Sequence, residues 1–420
     1  MHAPRPRIHC AIALVVLTVL LLLGGSRRAG AEGAPTFLFK WGFQGTGDGQ
    51  FFAPKGIALD DSGNVYIVDA GSNRVQKFDG NGNYMMRWGE GGSSNGQFSS
   101  PQFIAIDTLG NVYVTEYTGN RVQKFTRNGV YLSKWGTPGS GPGQFNHLRG
   151  IAVTRQGQVF VADSDNNRVQ RFDLQGISLG EWGTLGTNPG QFVAPEGVCV
   201  DLDGHIYVGD ETTSHRVQRF DIFGSYQATL GGYGSADGQF AFPEGLATDV
   251  GRNLYVADSG NDRVQKFSEL LDFIVKWGAT GTADGQMRTP QGVAVSPSGK
   301  VYVVDGANYR VDVFQASTVD VPSSLAPRGL TIEAIAPNPL LTQGDIHFRV
   351  PQDESVKLGI YDLHGRVLRT QFYGSLTAGP HDWHWDGRDA TGARVPAGVY
   401  FLVLESNTER VTRKALLLDR

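Results

Sequence analysis

Carboxylates that could ligate a metal or move a proton recur along the chain at Asp69, Glu116, Asp163, Asp210, Asp258 and Asp305. An arginine follows each by five or six residues: Arg74, Arg121, Arg168, Arg216, Arg263 and Arg310. A carboxylate beside a guanidinium can serve catalysis or form a charge-assisted clamp. Six copies of one constellation argue for the clamp. An active site is needed once, whereas an Asp that caps backbone N–H groups and pairs with the Arg of its own turn is needed wherever that turn occurs. The same argument covers Trp41, Trp88, Trp135, Trp182 and Trp277, with Leu230 in the sixth place. Exposed rings of this kind can stack on nucleobases, but periodic placement predicts packing between repeated units.

Chemistry peculiar to this chain is expected where the frame is fixed and the residue changes. A frame that most often reads Pro-x-Gly supplies such a column: Lys55, Gln102, Arg149, Glu196, Glu244 and Gln291. It divides into a basic side (Lys55, Arg149) and an acidic side (Glu196, Glu244). The second unit departs further, with Phe103 in place of the frame glycine and Tyr117 after Glu116. His215 and Tyr309 are expected to add bulk on the same face. A mixed, asymmetric rim with aromatics suits a peptide, a glycan or another small polar ligand; the plainer expectation is a solvated rim. A metal-dependent enzyme would need converging His and carboxylate ligands. The column holds no His, and His147 and His215 fall in separate units. Glu196 and Glu244, on neighbouring units, are the weak candidates for a calcium site; otherwise no cofactor is expected. Neither Gly-x-Ser-x-Gly, His-Glu-x-x-His nor a P-loop occurs.

The elements that must carry these residues follow from internal repetition. Gln-Phe recurs at residues 50, 97, 144, 191 and 239, then as Gln286-Met287. The extra residue of the fourth unit lies in 211–215. Each unit holds four short strand patterns, in the first case 56–60, 64–69, 74–79 and 84–89, joined by turns rich in Asp, Asn, Ser and Gly. Four strands per repeat of about 45 residues is the signature of a propeller blade. A strand ending in Trp-Gly (37–42) precedes unit one, and unit six ends without one. The N-terminal strand is therefore predicted to complete blade six, which removes an exposed edge and locks the ring.

The chain has 420 residues, 57 of them Gly, and a formal charge of −4. Over 36–316 there are 22 basic and 28 acidic side chains, a net of −6 that argues against a nucleic-acid footprint. Arg5 and Arg7, the apolar run 11–23 and Ala29-Gly30-Ala31 have the form of a cleaved signal peptide over 1–31. The run is short for a membrane span, so no stable span is expected after cleavage. Cys10 would leave with the leader. Cys199 would then stand alone as a buried small apolar residue, without a disulfide.

The text PKGIALDDSGNVYIVDAGSNRVQKF (54–78), copied in every unit, resembles the NHL repeat family. The resemblance implies an all-β fold, a six-bladed propeller over 36–316. Members of that family bind RNA or protein, serve as sensor domains or, in one branch, act as metal-dependent lyases. After a linker at 317–330, six strand patterns over 331–420 predict an Ig-like β-sandwich. Pro337-Asn338-Pro339, YDLHGRVLR (361–369), WDGRDATGARVPAGVYF (385–401) and KALLLDR (414–420) resemble the flagellar hook-cap-protein-like Ig domain. They are also similar to the sorting domains of type IX secretion substrates. The cluster from Asp382 to Asp389 is expected to be structural, with Trp383 and Trp385 on one core-facing side of a strand. The sequence thus leads to the expectation of a monomeric, exported or cell-surface bacterial protein. Its propeller would recognise a peptide, protein or glycan, and its last domain would serve export or attachment. The alternative is a lyase or lactonase acting at the central channel.

Overall fold

The computed structural model describes residues 32–316, 330–336, 344–350, 352–362, 365–406 and 410–417. The leader and the linker 317–329 lie outside them, as do Pro337-Asn338-Pro339. The chain divides into two units, Met1–Thr318 and Val319–Arg420.

In the first unit, six four-stranded antiparallel sheets repeat. Blade one consists of Pro54–Leu59, Val65–Asp69, Arg74–Phe78 and Tyr84–Trp88. The first strands of the later blades are Pro101–Ile106, Leu148–Val153, Pro195–Val200, Pro243–Thr248 and Pro290–Val295. Each touches the next, and the sixth touches the first, so the ring is closed. The second and third strands of blade one are buried throughout, whereas Tyr84–Trp88 alternates at the outer edge. Blade six is completed by Thr36–Trp41, antiparallel to Arg310–Gln315. The closing strand is therefore the first strand among the described residues.

Blade contacts are set by glycines facing large groups. The Trp88 ring lies where a Cβ on Gly129 would sit, at 2.6 Å, and Trp135 lies likewise on Gly176 of the following blade. These tryptophans are interblade packing, as expected. On the inner strands, a Cβ on Gly150 would meet Glu196 O at 2.1 Å, and one on Gly197 would meet Glu244 O at 2.0 Å. Only a residue without a Cβ lets neighbouring first strands approach so closely.

The repeated Asp–Arg pairs clamp the loops that cross from blade to blade. Arg74 Nε donates to Asp69 Oδ2 at 2.9 Å, while its other nitrogens donate to Thr46 O, Gly47 O and Gln50 O. Asp69 Oδ1 accepts the Phe52 N–H at 2.6 Å. Gln76 adds two bonds, donating to Gln50 O and accepting from the Gly49 N–H. Every oxygen of the buried carboxylate is occupied, which is the condition for burying a charge without leaving it uncompensated.

The second unit stacks a three-stranded sheet (Thr331–Ala336, Gly344–Val350, Gly379–Trp385) and a four-stranded sheet (Val367–Leu376, Glu354–Tyr361, Gly398–Glu405, Arg410–Leu417). Phe348, Leu358, Ile360, Trp383, Trp385, Leu402 and Leu404 share its core. Trp383 and Trp385 point inward together, two residues apart on one strand, and Trp385 Nε1 donates to Arg388 O at 2.9 Å.

Candidate functional site

The first strands begin on the face where the Asp–Arg turns lie, because Pro54 pairs with Asp69 and its counterparts pair alike. Residues one position into each first strand therefore form an inner ring, enclosed by the clamps. Charge condenses on blades three to five of this ring. Arg149 Nη1 donates to Glu196 Oε1 at 2.5 Å and lies 4.0 Å from Glu211 Oε2. Glu244 Oε1 accepts from Gln291 Nε2 at 3.0 Å. Lys55, in blade one, reaches Glu196 and Glu244 electrostatically across the mouth. Glu196 is 1% exposed, and among the described residues no N–H donates to its Oε2, which leaves Glu211 as its neighbour.

Three carboxylates against two cations leave an excess negative charge, and burial makes it costly. Burial disfavours the Glu196 charge, but hydrogen bonding with Glu211 and the charges of Arg149 and Lys55 outweigh it, so its pKa is lowered. Glu211 is driven the opposite way by burial, by its hydrogen bond to Glu196 and by the charges of Glu196 and Glu244. Glu244 is pushed up to about 8 by burial and by the Glu196 charge. Arg149 is held protonated, its burial more than offset by Glu196 and Glu211. Glu211 and Glu244 thus hold protons that an incoming cation could replace.

An aromatic platform flanks this network. The Tyr117 and His147 rings stack, with centroids 4.2 Å apart and planes within 8°. The Arg149 guanidinium lies over Tyr117 at 5.1 Å. His147 Nδ1 is 2.6 Å from Asp165 Oδ2. Platform and carboxylates meet at Arg149, so one side chain joins both.

Of the residues singled out from sequence, Lys55, Tyr117, Arg149, Glu196, Glu244 and Gln291 come together here. Gln102 is buried, its Nε2 on Ser100 O at 3.3 Å. Phe103 is half-buried. It wedges into the core between blades two and three, its N–H on Thr115 Oγ1, which also donates to Arg149 O at 2.6 Å. His215 and Tyr309 lie at left-handed turn positions, with φ of 43° and 55°, before their third strands. His215 Nδ1 accepts the Phe242 N–H as Asn73 Oδ1 accepts that of Ser100, so it joins blades four and five. Tyr309 packs into the cluster between blades six and one. These three residues thus have packing or turn contacts of their own, separate from the charged network.

Two members were missed. Glu211 lies in the fourth unit's longer segment, in the same column as Tyr117, and comparing that column across units would have found it. His147 was considered only as a metal ligand. Among the described residues no three His, Cys, Asp or Glu side chains are grouped so as to hold a metal ion, and no helix is long and apolar enough to cross a membrane.

Comparisons with known proteins fit this architecture. The NHL repeat matches residues 53–78, 98–125, 145–172, 192–220, 240–267 and 287–314. The FlgD Ig-like domain matches residues 341–410. Over 62 residues the chain is 37% identical to the basal-body rod modification protein FlgD of Salmonella typhimurium, covering 15% of this chain. The chain spans about a quarter (26%) of the length of that relative. A structural genomics protein of unknown function from Bacteroides thetaiotaomicron superposes with a TM-score of 0.52 at 18% identity, over 66% of this chain and 74% of that one. A gluconolactonase from Xanthomonas campestris gives 0.50 at 13% identity, over 67% and 98%. Both likenesses concern the fold.

Proposed function

For a chain that carries six NHL repeats and a C-terminal FlgD Ig-like domain, we propose a recognition role at the bacterial cell surface or outside it. The propeller mouth binds a peptide, protein or glycan through a positively charged group, and the terminal domain serves export or attachment. One observation carries this reading: the Arg149–Glu196–Glu211–Glu244 network occurs once, on blades three to five, and opens to the mouth, whereas the carboxylate–arginine clamps that enclose it repeat in all six blades. A protonated amine or guanidinium entering beside Tyr117 would meet Glu211 and Glu244 and gain a cation–π contact with the ring. It would displace their protons, so uptake releases protons and strengthens as pH rises through about 8.

The test is fluorescence anisotropy of labelled short peptides carrying Lys, Arg, Glu or no charge, titrated with the full chain. Preference for Lys or Arg peptides, lost in Glu211→Gln and Glu244→Gln, supports the reading. Equal binding of acidic and basic peptides, or unchanged binding by both variants, overturns it. Elemental analysis of dialysed protein separates the enzyme alternative: stoichiometric calcium lost in Glu196→Gln would transfer the mouth to metal chemistry.

A further inference from the structure

Blade six breaks a rule that five blades keep. At the third residue of the third strand, blades one to five carry Gln76, Gln123, Gln170, Gln218 and Gln265, and blade six carries Asp312. Each glutamine binds the crossing loop twice: its oxygen accepts a glycine N–H at 2.8–3.0 Å, and its amide donates to a carbonyl at 2.7 Å. In blades two, three and five the amide also donates to the clamp carboxylate. Asp312 is one methylene shorter and has no amide to donate. Its Oδ2 accepts from Arg310 Nε at 3.1 Å, the same nitrogen that donates to Asp305 Oδ2 at 3.0 Å, and its Oδ1 has no partner among the described residues. Both carboxylates are fully buried.

Two buried carboxylates on one guanidinium N–H leave an uncompensated charge unless one holds a proton. The other groups facing them do not cancel it. Asp305 also takes the Arg288 N–H and Asn308 Nδ2. Lys40, opposite Asp312 on the closing strand, has its ammonium on Asp284 at 2.9 Å and near Thr282 O. Arg310's remaining nitrogens are taken by Thr282 O, Ala283 O and Gln286 O.

The location gives this its meaning. Strand Arg310–Gln315 is the strand on which the N-terminal strand Thr36–Trp41 closes the ring. We propose that blade six is a proton-dependent latch: one proton shared by Asp305 and Asp312 holds the ring shut, and its loss selectively loosens the closing strand. Burial, together with the neighbouring Asp305, raises Asp312 to about 7 despite Arg310. Since the folded pKa exceeds the unfolded one, the latch is tight at acid pH and weakens as pH rises from about 4 through about 7.

Hydrogen exchange read by mass spectrometry tests this on the full chain. Peptides covering 36–41 are compared with those covering 84–88, the equivalent strand of blade one, at about pH 5.5 and about pH 8.5, after correction for intrinsic exchange. We expect opening of 36–41 to rise about tenfold or more at the higher pH, with 84–88 unchanged. Asp312→Gln, which restores the residue of the other five blades, should abolish the difference, and Asp312→Asn should reduce it. Equal behaviour of the two strands, or a pH effect that survives Asp312→Gln, overturns the proposal.

Discussion

The same chemical pair, an arginine on a buried carboxylate, is used in two opposite ways on one face of the propeller. In the clamps, Asp69 accepts from Arg74 and from a backbone N–H, and the guanidinium spends its remaining donors on loop carbonyls. Nothing is left for a ligand. In the mouth, Arg149 gives one hydrogen bond to Glu196, keeps 27% of its side chain exposed, and lies 4.0 Å from Glu211 without donating to it. Saturation together with repetition marks architecture; a singular network that is incomplete and also open to solvent is what the proposed recognition role rests on.

The largest effect that tests this contrast is on stability. Arg74→Ala leaves Asp69 charged, buried and stripped of its main partner. The expected cost is about 3–5 kcal/mol in urea unfolding followed by tryptophan fluorescence. Arg149→Ala should cost much less, since Glu196 and Glu211 can share a proton in its absence. Equal losses for the two variants would erase the distinction.

Binding should show the reverse order. Glu211→Gln removes a partly exposed carboxylate that already favours its protonated form, so the fold should lose less than about 1 kcal/mol. Affinity for a Lys- or Arg-bearing peptide should fall about 10- to 100-fold, the weight of a lost charged hydrogen bond in a partly desolvated site. Isothermal titration calorimetry in two buffers of different ionisation enthalpy would also register the released proton.

A smaller effect lies in pH dependence. Glu244 titrates at about 8 in the folded protein, raised by burial and by Glu196. A raised carboxyl contributes stability at low pH that is lost as pH rises from its unfolded value through about 8. Glu244→Gln should therefore flatten the decline of unfolding free energy between about pH 5 and pH 9. An unchanged slope would place the proton elsewhere in the network.

How much of this was legible beforehand depended on periodicity. Blades, closing strand and interblade tryptophans all follow from residues that recur at nearly fixed spacing, because a repeated environment demands a repeated side chain. The mouth was legible only as a column of varying residues. Glu211 escaped because it lies in the one segment whose length differs. The packing of Phe103, His215 and Tyr309 was not legible, because sequence shows a position along the strand but not the direction of the side chain. His215 performs a turn asparagine's task with a ring nitrogen, which no composition argument distinguishes from a rim histidine.

The smallest expected effect concerns the joint where the pattern fails, between blades four and five. At the joints of blades one to four, a tryptophan lies on a turn glycine, as Trp182 lies on Gly224. At the next joint the tryptophan is Leu230 and the glycine is Leu271, and both pack against the same cluster around Phe267. Leu271 holds a left-handed φ of 67°, a conformation that costs a residue with a Cβ about 1 kcal/mol and glycine almost nothing. Leu271→Gly alone relieves that strain but opens a cavity, and Leu230→Trp alone overfills the joint. Together they rebuild the arrangement of the other joints. A double-mutant cycle should thus give a favourable coupling of about 1 kcal/mol or more, with the double variant at least as stable as either single one. Simple additivity would mean that the two leucines adapt independently, and that the Trp-on-Gly contact is not the unit from which these joints are built.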